Sequence, residues 1–170
     1  MAGLDSASQG PLTEELLFRS AAVPLLLSAR MSVRKVIFLS PVIFGLAHIH
    51  HFYEFRISHP RTPLIAAVAR SVFQLAYTSL FGAYATFLFL RTGSLLAVVL
   101  VHSFCNSMGL PRIWGRTHPY WLDGHGDSGH QPSIVYTFFY YSLLVGGLFT
   151  WRYSLFSLTG KNAMLMGIDI

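Results

Sequence analysis

The sequence predicts an all-α protein, a polytopic transmembrane helical bundle with about five helices. Two observations carry that reading. Apolar residues make up 53% of the 170, charged residues only 11%, and the mean hydropathy is +0.51; a soluble domain carries about 25% charge. Long apolar runs also recur along the chain, parted by short polar turns built on Gly, Pro and Arg. The net charge of +5 comes from residues spread singly, with no basic run beyond Arg34-Lys35, so nucleic acid is not an expected partner. Cys105 is the sole cysteine, which excludes an intramolecular disulfide. Residues 1–11 are polar and small, without the basic start and apolar core of a signal peptide. They read as a leader to a helical domain over 12–160, with 161–170 as a tail.

The first helix is expected from Thr13 to Arg30, with Thr13 as N-cap and Pro24 as a kink. The second runs from Ser32, its cap, to Phe52, with Pro41 inside it. Tyr53 to Thr62 reads as a loop. The third opens with Thr62 as N-cap and Pro63 at the first helical position and runs to Leu90. Its Arg70 and Gln74 are one turn apart and expected to face other helices. Arg91-Thr92-Gly93 ends it. The fourth begins near Ser94 and stops before Pro111. Arg112 to Ser133, rich in Gly, His, Asp and Trp, reads as a long loop outside the membrane. The fifth runs from Ile134 to Leu158, and Gly146-Gly147 at its middle suits close helix contact. Loop charges barely orient such a bundle, leaning toward a cytoplasmic side for Arg30, Arg34, Lys35, Arg91 and Lys161.

Three polar groups interrupt this apolar text. The first is Glu14-Glu15-Leu16-Leu17-Phe18-Arg19. An ionised side chain at the bilayer centre costs about 2.5–3.5 kcal/mol on insertion scales. Glu15 and Arg19 are four apart and share a helix face, so they are expected to pair. Glu14 points elsewhere and is left free. Acids in a first turn also suit the helix dipole, but that does not account for Arg19 ahead of an apolar run. The second group is Phe44-Gly45-Leu46-Ala47-His48, followed by His50 and His51. The third is His102-Ser103-Phe104-Cys105-Asn106, whose His and Asn lie on one face.

A carboxylate, a histidine and a His/Asn pair on separate helices are the parts of an acyl hydrolase, which needs a base for water and donors for the oxyanion. In that scheme Glu14 is the base, His48 shares the water, and His102 and Asn106 are the donors. Other readings stand beside it. Each polar residue taken alone also fits a role that only joins helices, and His50 and His51 suit an interfacial position. Glu14, His48 and His102 form a conceivable zinc set, although HExxH is absent. A Cys105–His102 nucleophile is also conceivable.

The three motifs in this order, EExxxR, FxxxH and HxxxN, resemble those of the CAAX protease and bacteriocin-processing (Abi) family. The flanking PLTEELLFRSAAVPLL and the long loop after the third motif look like its type II CAAX prenyl endopeptidase branch. The resemblance covers about Pro11 to Leu158. It implies an intramembrane glutamate-dependent endopeptidase that removes the C-terminal AAX tripeptide from prenylated CAAX proteins, such as Ras-type small GTPases. It implies a multi-pass protein of the endoplasmic reticulum membrane, with the lipid bilayer as surround and no cofactor or metal. Carried over by motif, Glu14 and His48 activate water and His102 and Asn106 bind the oxyanion. Glu15, Arg19 and Phe44 support the site. Such proteins have further helices before EExxxR, so the chain is expected to be an N-terminally shortened form. The alternative is a catalytically inactive shortened form that binds prenylated substrate or the full-length enzyme.

Overall fold

The computed structural model describes residues 10–117 and 134–159. The described residues are all-α, with six helical segments and two compact units, one up to Ser107 and one from Met108. The expected leader, the tail and residues 118–133 of the expected loop lie outside the described residues.

In the first unit, α1 covers residues 10–28 and changes character twice. Residues 10–15 are α-helical, Leu16–Ala22 is π-helical, and Val23–Ser28 is α-helical again. The Val23 N–H bonds to the Phe18 carbonyl, five residues back. Pro24 follows at the start of the last segment. The expected kink site is thus a junction between two helix types. Arg30 then takes a left-handed conformation, φ 57°. Its N–H donates to Leu27 O and that of Met31 to Leu26 O, the paired bonds of a Schellman stop.

Helix α2 is Val33–Ala47, entered from an extended Ser32 as expected, with Pro41 inside. It ends earlier than the sequence suggests. The His48 ring Nδ1 donates to Phe44 O at 2.8 Å, the carbonyl that the His48 backbone N–H would use in an α-helix. That N–H turns to Gly45 O instead, and the Ile49 N–H to Leu46 O. Helix α3, His50–Ser58, restarts at once. Tyr53 to Ser58 is therefore helix and not loop; nothing in 50–58 is Gly or Pro to prevent it.

Helix α4, Leu64–Thr92, starts one residue past Pro63 and stops at Gly93, φ 62°. Its Arg70 lies over the Phe55 ring of α3 at 4.5 Å. Helix α5, Leu95–Met108, is capped by Ser94, whose Oγ accepts the Ala97 N–H at 3.2 Å.

Helices α2 and α4 pack most extensively. A Cβ added at Gly82 would sit 3.0 Å from Pro41 Cβ and 3.2 Å from its Cα. One added at Gly45 would meet Leu75 Cδ1 and Ser79 Oγ. Each helix thus contributes a glycine where the other comes closest, the small-residue packing of membrane helices. Val23, Val36 and Leu90 tie α1 and α2 to the end of α4, and Ala85, Leu88 and Val98 tie α4 to α5.

The second unit contains α6, Ile134–Thr159, and a strap over 108–117. Tyr140 Oη accepts the Arg112 N–H, Tyr141 Oη donates to Gly115 O, and Thr137 Oγ1 meets the Thr117 backbone. Among the described residues, three helical stretches are long and apolar enough to cross a membrane: Val33–Ser58, Leu64–Thr92 and Ile134–Ser157. Their outward faces carry bare hydrocarbon, with Phe38, Ile65, Phe138 and Phe149 exposed, as a lipid surround allows.

The glycines give a differential test. Gly82→Ala should cost about 1–3 kcal/mol through overpacking against Pro41. Gly146→Ala, with open space around its Cβ, should be neutral or slightly stabilising. Unfolding in detergent of the two variants beside the parent checks this.

Candidate active site

The site is built from α1, α4, α5 and the end of α2. Glu15 and Arg19 lie four apart on α1 and both are fully buried. Arg19 Nε stands 3.0 Å from Glu15 Oε2, the pairing that their spacing predicts. The N–H is not aimed along that line, so the contact is a charge pair more than an aligned hydrogen bond. Arg19 Nη2 reaches across to α4 and donates to Gly82 O at 3.2 Å. Its guanidinium also lies over the Phe44 ring, 5.2 Å from the centroid, a cation–π contact with α2.

Glu15 has a second partner that spacing does not reveal. Its Oε1 lies 2.6 Å from Nδ1 of His102, a buried residue on α5. The carboxylate accepts, so Nδ1 carries the proton and Nε2 faces the other way. Phe81 of α4 walls the ring at 4.8 Å between centroids. Glu14, half-buried, brings its Oε2 to 3.8 Å from His102 Nε2. One imidazole therefore stands between the two adjacent acids, with a direct hydrogen bond to Glu15 and a looser approach to Glu14. A gap of 3.8 Å is too long for a hydrogen bond.

His48 meets α1 through rings. Phe44 stands edge-on to Phe18 of α1, 4.9 Å between centroids, and His48 packs on Phe44 at 4.6 Å. With Nδ1–H bound to Phe44 O, a neutral His48 presents Nε2 as an acceptor. The ring also borders an apolar cavity of about 320 Å³ between α2, α3 and α4, whose walls include Phe52, Val72 and Leu75. Asn106 lies one turn beyond His102 in the last turn of α5 and is exposed.

The structure thus joins Glu14, Glu15, Arg19 and His102 directly, and Phe44 and His48 through ring contacts. Sequence reasoning missed the Gly82 carbonyl, the Phe81 wall and the Glu15–His102 bond. Gly82 within an apolar helix was a visible signal of close approach, but its partner was not. Cys105, offered above as a nucleophile, is exposed on the helix that carries the buried His102.

Removing one partner of a buried ion pair leaves an uncompensated charge. Arg19→Met should therefore destabilise the protein by about 3–5 kcal/mol, read as a large fall in the detergent melting temperature. The double variant with Glu15→Gln should recover part of that loss.

Comparison with known proteins agrees with these motifs. The sequence profile of the family "Type II CAAX prenyl endopeptidase Rce1-like" matches residues 4–108. The "Probable CAAX prenyl protease 2" of Schizosaccharomyces pombe is 52% identical over 107 residues, which are 63% of this chain and 39% of that protein. The "CAAX prenyl protease 2" of Arabidopsis thaliana is 53% identical over 106 residues, 62% and 34% of the two chains. That of Homo sapiens is 46% identical over 106 residues, 61% and 31%. The chain spans between about a third and two-fifths of the length of these curated relatives. No solved structure gives a significant match. The matched span holds all three motifs, and the chain belongs to the type II CAAX prenyl endopeptidase Rce1-like family.

Proposed function

We propose that this chain carries the catalytic part of an intramembrane endopeptidase that uses a glutamate to remove the AAX tripeptide from prenylated CAAX proteins. The observation that carries the reading is the Glu14–His102–Glu15 arrangement, two acids on one helix flanking an imidazole from another. The family match and the names of the relatives supply the reaction class.

Glu14 is the base. Its carboxylate is half-buried, so a water can reach it while part of its solvation is lost. Glu14 takes a proton from that water, with the acceptor Nε2 of His48 sharing it, and the oxygen attacks the carbonyl of the prenylcysteine. The carbonyl oxygen becomes an oxyanion that accepts hydrogen bonds from the Asn106 amide and from His102 Nε2. Because His102 Nδ1–H is taken by Glu15, donation from Nε2 needs the imidazolium form. Collapse of the intermediate breaks the C–N bond, and the proton held by Glu14 passes to the leaving amine. Glu15 and Arg19 orient His102 and do not meet the substrate. The expected setting is the endoplasmic reticulum membrane, with Ras-type small GTPases among the substrates.

A cleavage assay on a farnesylated CAAX peptide, with the chain in lipid, tests the reading. Glu14→Ala should abolish release of the tripeptide while the protein still inserts; unchanged turnover sinks the mechanism. His102→Ala and Asn106→Ala should each lower the rate about a hundredfold or more, as loss of an oxyanion donor does. A chelator should leave the rate unchanged. Parent chain that binds the farnesylated peptide and never cleaves it selects a non-catalytic binding role.

A further inference from the structure

The start of α3 holds a cluster that the proposed reaction does not use. His50, His51 and Glu54 each offer a ligand atom, and these atoms lie within 4.8 Å of one another. The two imidazole rings are 4.0 Å apart between centroids. His51 Nδ1 is 2.8 Å from Glu54 Oε2. We propose that His50, His51 and Glu54 bind a divalent transition-metal ion of the zinc class.

Three features favour an ion over a plain polar surface. The donor set is two imidazoles and one carboxylate, which suits zinc and its neighbours and not magnesium or calcium. His50 is already prepared: its Nδ1–H donates to Ala47 O at 2.8 Å, which fixes the tautomer and turns the Nε2 lone pair outward. Metal-bound histidines are held this way by carbonyls or carboxylates. The nearby cation is also occupied elsewhere, since Arg56 Nη1 donates to Thr62 O at 2.6 Å.

The ion takes the place of the proton that now lies between His51 Nδ1 and Glu54, with His51 shifting its proton to Nε2. Zinc–nitrogen bonds of about 2.0–2.1 Å ask the three atoms to gather by side-chain rotation alone, which exposed residues permit. Water fills the fourth position. The site would clamp the first turn of α3 directly after the break at His48 and Ile49. It is distinct from Glu14 and His102, and His48 takes no part, its ring standing 6.4 Å and 5.7 Å from those of His50 and His51.

The test is Zn²⁺ titration of the metal-stripped chain in detergent against a chromogenic competitor, with Co²⁺ absorption as a second probe. One equivalent should bind, and Co²⁺ should give the intense visible bands of a four-coordinate site. His50→Ala and Glu54→Gln should each weaken binding about tenfold or more, since even outer partners of metal ligands are worth about 10–100-fold. His59→Ala should bind as the parent does. Failure of the parent to bind Zn²⁺, six-coordinate Co²⁺ bands only, or unchanged affinity in both ligand variants overturns the site. None of these readouts depends on peptidase activity.

Discussion

A fully buried carboxylate, Glu15, sets the terms for the first unit. Taking such a charge out of water costs several kcal/mol even after relaxation, so it persists only where partners are held in place. Glu15 has two, Arg19 beside it on α1 and His102 on α5. Arg19 in turn needs acceptors and finds the Gly82 carbonyl on α4. One acid therefore fixes the relation of three helices, and the fold and the site cannot be separated there. The same bond fixes the proton on His102 Nδ1 and leaves Nε2 toward Glu14.

The reach from Arg19 to Gly82 depends on how closely α2 and α4 pack. Pro41 lies against Gly82, where any side chain would crowd it, and Gly45 makes the reciprocal approach. Gly82 gives α4 no side chain at that point, and Gly45 gives α2 none at the reciprocal one, so each helix lacks a side chain that would hold the two apart. The π-helical turn in α1 falls between Glu15 and Pro24, so both the charged and the proline ends of that helix border an irregular segment. Such turns are frequent at functional sites.

Four of the described histidines divide by what their Nδ1 atoms do. His102 donates to a buried carboxylate, His48 and His50 to backbone carbonyls, and His51 lies against Glu54. In each case the second nitrogen is left facing outward from the bond. His48 also stands at the end of α2, its ring on the carbonyl that its own N–H would have used in an α-helix. The break that separates α2 from α3 falls at the histidine that the FxxxH motif supplies.

Composition and run length alone determined that the chain is helical and apolar enough to cross a membrane, because both are properties of single segments. Helix stops at Gly93 and starts at Ser32 and Ser94 were legible for the same reason: caps and left-handed turns are local. The Glu15–Arg19 pair was legible because a spacing of four puts two side chains on one helix face. The three motifs carried the family. Tertiary structure alone decided what joins them. The bond from Glu15 to His102 spans 87 residues and that from Arg19 to Gly82 spans 63, and no periodicity reports such a distance. The restart of helix at His50 was also hidden, because the break at His48 and Ile49 carries no Gly or Pro to mark it in the sequence. Side chains choose among local partners by what surrounds them, and those surroundings come from other helices.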